Sequence, residues 1–219
     1  MLKADGSLTI AAVDALTHSL AGVVIWRAGL APREPPLWSA ATLLVAANVA
    51  DAESFTRLAG AATYIRNYHG ATHSLLGTAV LAVAVAGLTA LGLKRAGRAF
   101  RFSSLAAAAL VGAGSHLLLD LCHGYGERLL WPFSQGRYGL SLMSSFDVSN
   151  LAVLLLALAV PAMLNVVNAE MGAPRVSYAR GALVGVIALA ALLPLRLVLR
   201  TRADSASAAA LVEDQESHL

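Results

Sequence analysis

Histidine and carboxylate side chains recur in this chain at spacings that suit a bound divalent cation. The segment SHLLLD places His116 and Asp120 four residues apart. On a helix they share one face, so both can bind one ion, or the carboxylate can bridge two. Two further segments resemble each other, ALTHSLAG at residues 15–22 and GATHSLLG at residues 70–77. Each puts Thr-His-Ser, with His18 or His73 in the middle, at the start of an apolar run. There Thr or Ser can cap a helix and fix the ring between them. A fourth segment, ANVADAES at residues 47–54, ends an apolar run on Asp51 and Glu53. A carboxylate at a helix C-terminus opposes the macrodipole, and a bound cation removes that conflict. Singly, each segment has a plainer reading as a capped interfacial histidine, a hydrogen-bonded pair or a solvated carboxylate. Ionisable residues in an apolar helix are nevertheless expensive, and by default they mark a functional site.

The elements that position these residues are apolar helices. Of 219 residues 58% are hydrophobic and only 13% charged, against about 25% charged in a soluble domain. The mean hydropathy is +0.67, so lipid is the expected solvent and the bilayer the first partner. Six apolar stretches, at residues 15–31, 36–51, 73–93, 104–121, 150–168 and 179–199, predict an all-α, polytopic membrane bundle of about six transmembrane helices. A span needs about 20 residues, which leaves the first two short and partly inside the bundle. Pro32, Pro35 and Pro36 separate those two, and KRAGRAFR at residues 94–101 separates the next pair. Residues 123–149 form the longest connection, and a loop of that length is expected to fold over something functional.

Residues 1–14 read as an N-terminal extension, 15–202 as one membrane-embedded domain, and 203–219 as a disordered tail rich in Ser, Ala and acidic residues. The net charge of +3 sits in short loops without interleaved aromatics, so headgroups rather than nucleic acid are its expected partner. A single cysteine, Cys122, excludes an internal disulfide and any CxxC zinc site. The N-terminus lacks the pattern of a secretory signal.

Alternating spans bring the weak signals together. His18 begins the first helix, Asp51 ends the second, His73 begins the third, and His116 and Asp120 lie in the last turns of the fourth, so all five reach one membrane face. Asp14, Asp147 and His123 fall on that side too, and His218 in the tail does not. The basic loop of Lys94, Arg95, Arg98 and Arg101 favours a cytoplasmic position for the opposite face. The site then faces outward, although Arg196, Arg200 and Arg202 argue the other way. Histidine with carboxylate and no thiolate suits zinc, with Mn2+ or Fe2+ as alternatives. Three histidines and two aspartates exceed one tetrahedral ion with an open position. Two ions sharing Asp120 would accommodate them, as in sites that hydrolyse phosphoesters.

The run DALTHSLAG, the AD-A-E after an apolar helix, YHGATHSLLG, GSHLLLDLCHGYGERLLWPFS and SSFDVSN resemble the YdjM-type inner-membrane proteins, described as candidate membrane-bound metal-dependent hydrolases. The resemblance covers residues 14 to about 150, with five elements in order. That family is similar to the zinc-dependent phospholipase C and P1 nuclease group. The resemblance implies an inner-membrane location and His18, Asp51, His73, His116 and Asp120 as ligands of one or two ions. Relatives often read Pro-Asp-x-Asp where this chain has Ala50, Asp51, Ala52 and Glu53, and His-Arg-Gly where it has Tyr68, His69 and Gly70.

The leading expectation is therefore a hydrolase of phosphoesters, lipid headgroups first, acting through metal-activated water. Glu53 or Asp147 would accept the water's proton, and His69, Arg128 or Arg137 would hold phosphate. His123 is a candidate extra ligand. Trp131 and Phe133 can anchor the long loop at the interface. The rivals are a structural or sensory metal site without catalysis, and a metal-ion transporter.

Overall fold

The structure is a computed structural model that describes residues 4–144 and 147–217. His218 lies outside the described residues, as do Ser145 and Phe146 of the SSFDVSN segment. The chain is all-helical in its regular elements: α1 (Ala4–Ala28), α2 (Pro36–Ala46), a 3-10 segment (Val49–Ala59), α3 (Ala61–Asn67), a 3-10 turn (Ala71–His73), α4 (Leu75–Arg95), α5 (Phe102–Leu121), α6 (Val148–Glu170) and α7 (Tyr178–Ser217). Four helices among the described residues are long and apolar enough to cross a bilayer, namely α4, α5, α6 and α7 over Tyr178–Ser207. The all-α membrane bundle is as expected, whereas six full spans are not reached.

The second apolar stretch accounts for part of the difference. α2 has 11 residues, about 16 Å of helix, and then yields to a turn at Asn48. The Asn48 amide donates both to Leu44 O at 2.9 Å and to Ser19 Oγ of α1 at 3.1 Å. Beyond it the chain runs as 3-10 helix to Ala59, which carries Asp51 and Glu53 away from the helix axis.

Both ends of the chain depart from expectation in the same way. α1 starts at Ala4, so the first Thr-His-Ser lies inside a helix rather than at its start. Residues 203–217, expected as a disordered tail, continue α7. Neither segment contains a proline, and alanine is the best helix former, so nothing local stops either helix. The second Thr-His-Ser does cap a helix: Ser74 Oγ accepts from Gly77 N at 2.9 Å at the start of α4.

Small residues set the packing. Ala82, Ala86 and Ala90 of α4 meet Leu105, Ala109 and Ala113 of α5 in one buried cluster, the spacing that lets membrane helices approach closely. α5 also packs on α2, while α7 packs on α1 and α6. α2 and α5 approach closely at Gly112, where a Cβ would lie 2.2 Å from Leu43 O. One turn further along α5, His116 Nδ1 reaches Ala47 O at 2.8 Å.

The loop after α5 folds back over this end of the bundle. Glu127 and Tyr138 pair as an antiparallel bridge, and Leu129 O accepts from Leu75 N at 3.0 Å. Asp147 closes the loop by capping α6, accepting from Asn150 N at 2.9 Å, and it binds Arg196 of α7 at 2.7 and 2.9 Å. Asp147 was expected as a proton acceptor. Its carboxylate is instead committed to this clamp and belongs to none of the metal-binding groups.

Two outcomes follow from this packing. Gly112→Ala forces α2 off α5 and costs about 1–3 kcal/mol, the range for overpacking a close contact, read as a lower melting temperature in detergent. For the clamp, burial works against ionisation of Asp147, but hydrogen bonds from Arg196, Ser149 and Asn150 outweigh it and hold the carboxyl below its ordinary value. A depressed carboxylate contributes stability above its unfolded pKa of about 3.9 and loses it as the pH falls further. Asp147→Asn therefore melts earlier than wild type at pH 7, and the gap narrows as the pH falls below about 3.9.

Candidate metal centre

Asp120 stands at the middle of the site. It lies in the last turn of α5, is 1% exposed, and each of its oxygens faces imidazoles. Oδ2 lies 3.0 Å from His116 Nε2 and 3.3 Å from His73 Nε2, and those two nitrogens are 3.2 Å apart. Donors on a tetrahedral zinc with bonds of about 2.0 Å are spaced about 3.3 Å from one another. Oδ1 faces a second direction, 3.2 Å from His18 Nε2 and 3.7 Å from His123 Nδ1. The carboxylate is thus disposed as a bridge between two half-sites. The first half-site adds Asp51, whose Oδ1 is 3.7 Å from both His73 and His116. The second adds Asp14, 3.6 Å from His18.

The five residues that helix direction selected all meet here. Their donors suit a cation better than they suit one another. Both Asp120 oxygens and both His18 nitrogens are buried without a hydrogen-bond partner, and a buried polar atom left so costs about 1–3 kcal/mol. Burial works against a protonated His73, but its close contacts with the carboxylates of Asp120, Asp51 and Glu53 outweigh it and push its pKa up to about 12. Burial likewise opposes ionisation of Asp51, and the contacts with His73 and His116 overcome it and lower its pKa. The same cluster of carboxylates that favours a proton on His73 favours a metal cation.

Behind the inner nitrogens, acceptors fix the rings. His116 Nδ1 is held by Ala47 O, and His73 Nδ1 lies 3.0 Å from Thr72 Oγ1 and 3.4 Å from Glu53 Oε2. Glu53 also accepts from the His69 backbone N at 2.5 Å and from the Thr72 hydroxyl. These contacts outweigh burial and keep its carboxyl below the ordinary range. Glu53 was expected as a base, and with His69 and His73 it also forms a group whose donors could hold an ion. It stands behind His73 as an orienting carboxylate, the arrangement that fixes the tautomer of metal-binding histidines.

The residues expected to hold phosphate fall differently. His69 is buried, with φ +48°, its ring stacked on His73 at 4.4 Å and Nδ1 2.5 Å from Glu127 Oε1. Glu127 is wholly buried and its Oε2 has no partner. Arg137 spends both terminal nitrogens on backbone, Gly126 O at 3.0 Å and Tyr68 O at 3.1 Å, which pins the loop over the site. Arg128 keeps a buried Nε without a partner. Sequence reasoning missed Glu127, which carries no helical spacing to betray it. Asp14 had been placed on the right face but not among the ligands. Its four-residue step to His18 mirrors that from His116 to Asp120, and the symmetry was a usable signal.

Comparison with known proteins agrees with this picture at the level of family. A relative in Bacillus subtilis (strain 168), the uncharacterized protein YfhP, is 27% identical over 154 residues, which cover 65% of this chain and 45% of the relative. The match thus spans less than half of that relative's length. No solved structure matches the chain. The family described as YdjM inner membrane protein matches residues 13–203, nearly the whole bundle and every residue of the Asp120 cluster. The chain belongs to the YdjM inner membrane protein family.

Proposed function

We propose that this protein is a membrane-bound, metal-dependent hydrolase of phosphoesters, with lipid headgroups as the first substrate class. The observation that carries the reading is the grading of exposure across the donor set. His18, His73, His116 and Asp120 are sealed from solvent, while the side chains of Asp14 and Asp51 are 20% and 31% exposed. A site that is closed behind and open at two carboxylates admits water and a substrate oxygen. A purely structural site has no need of the opening.

The inner residues, Asp120 among them, would hold one or two divalent ions, zinc before Mn2+ or Fe2+. When bound, such ions lower the pKa of water and neutralise charge on phosphoryl oxygens. The protein's own residues do the rest. Glu53 and Ala47 O hold His73 and His116 with Nε2 toward the centre. Asp51, at the open edge, accepts the proton of the attacking water in place of the committed Glu53 and Asp147. Arg128, with its unpartnered Nε, is the phosphate-binding candidate, and Arg137 positions the loop that presents it. That neither expected base is free also favours a second reading, a metal site with a structural or sensory role.

Metal analysis on purified protein tests the ligand set first. Wild type is expected to carry near-stoichiometric divalent metal, and His73→Ala and Asp120→Ala to lose it. Retention in both variants sinks the assignment. Glu53→Gln should weaken metal affinity about 10–100-fold, as loss of an orienting partner does, without removing binding. With loaded wild type, headgroup or phosphate release from a panel of phospholipids and nucleotides should be abolished by chelator. Full metal content with no hydrolysis of any member would leave the structural reading standing instead.

A further inference from the structure

The far side of the bundle carries a second feature that the metal centre does not use. Between α6 and α7 lies a cavity of about 410 Å3 lined only by apolar side chains and glycine, among them Leu156, Val160, Leu164, Val184 and Ala188. Leu156 and Val184 are more than half exposed, so the cavity is a groove open on the outer surface of two spanning helices. α6 begins at Val148, capped by Asp147, at the metal-centre end of the bundle, and the groove runs along it from Val153 to Leu164. Its Leu164 and Val176 end therefore approaches the opposite membrane face.

That end is built and basic. Asn165 fixes the connecting loop by exchanging two hydrogen bonds with Val176, at 2.7 and 3.1 Å, and Asn168 binds Pro174 O at 2.8 Å. Arg175 and Arg180 adjoin the lining residues Val176 and Gly181 in the chain, and both are exposed. Arg27 of α1 joins them, its guanidinium 4.9 Å from the centre of the Tyr178 ring. None of the three arginines forms an ion pair among the described residues. An acyl-length apolar slot ending at unneutralised arginines is complementary to one molecule, a phospholipid with a net negative headgroup. A second copy of the chain is a poorer occupant, because a two-fold contact across this groove would bring the arginine rim against itself.

We propose that the α6–α7 groove binds an anionic phospholipid from the leaflet opposite the metal centre, as a site separate from the substrate and independent of the hydrolase reading. Purified full-length protein in detergent, given phosphatidylglycerol or phosphatidylcholine of identical chains, tests it by native mass spectrometry. Wild type should retain one phosphatidylglycerol at least about tenfold more tightly than phosphatidylcholine, since several arginines near one headgroup together favour the anionic lipid. The triple change Arg27→Gln with Arg175→Gln and Arg180→Gln should erase the preference, and the double change at Arg175 and Arg180 should reduce it. Val184→Trp should weaken both lipids, and Leu156→Trp serves the same purpose should that variant not fold. Equal retention of the two lipids by wild type overturns the proposal. So does a preference that survives loss of all three arginines, or a cross-link between two chains through Val184→Cys that excludes lipid.

Discussion

A carboxylate buried at the end of a membrane helix is the constraint around which this molecule is arranged. Asp120 is almost wholly buried, and an ionised group in that position is strongly unfavourable unless it is paired. Three imidazoles meet its two oxygens at 3.0 to 3.3 Å, and they arrive from α1, from the turn before α4 and from α5 itself. Bringing them there demands close helices, which is why the neighbours of α5 meet it through alanine and glycine. Gly112 shows the coupling: where a side chain is missing, α2 comes close enough for its end to fix His116. Packing and site geometry are thus one arrangement.

The same constraint explains why regular helix gives way at this end of the bundle and nowhere else among the spanning segments. A continuous α2 would carry Asp51 past the cluster, and a continuous segment into α4 would rotate His73 out of it. Two 3-10 stretches and a long loop place these residues instead, at the expense of unpaired backbone groups. Irregular backbone is tolerated at membrane depth only where protein or trapped water satisfies it. Here side chains do so: Ala47 O takes His116, Tyr68 O and Gly126 O take Arg137, and Leu140 O takes Arg200. The loop is held as firmly as a helix end, and Glu127 rides on it into the interior.

Much of this was legible in the sequence, and the limits have physical reasons. Apolar runs and proline punctuation located the helices, and the alternation of spans placed His18, Asp51, His73, His116 and Asp120 on one face. Those features depend on local period and on direction, which a sequence states outright. What it does not state is which partner a side chain chooses once neighbours arrive. Glu53 and Asp147 are both carboxylates near the right face, yet one faces the back of His73 and the other is taken by Arg196 on a helix about fifty residues away in sequence. Glu127 was invisible for the complementary reason, since a glutamate in a glycine-rich loop looks solvated until the loop closes. The end of α2 was placed too late because the apolar run continues through Val49 and Ala50, which outweighed Asn48 as a stop signal. The stop comes from the contact of Asn48 with Ser19.

The distribution of polarity through the depth of the bundle bears on what a bound ion could do. Beneath His116 the α4–α5 seam is filled by Ala82, Ala86, Ala90, Leu93, Leu105 and Ala109, close-packed and without an acceptor. The Thr42 and Thr89 hydroxyls lie 3.2 Å apart and each reaches a backbone carbonyl on its own helix, so the polar pair between α2 and α4 shares its two protons among local acceptors. An ion that reached Asp120 would find no next step in that direction and would have to leave by the face it entered. A transporter needs sites of comparable depth along a path, and this bundle concentrates its donors in a single layer at one end. The openings at Asp14 and Asp51 lead back to that same interface. Among the described residues the groups that could hold an ion thus share one layer at one end of the bundle.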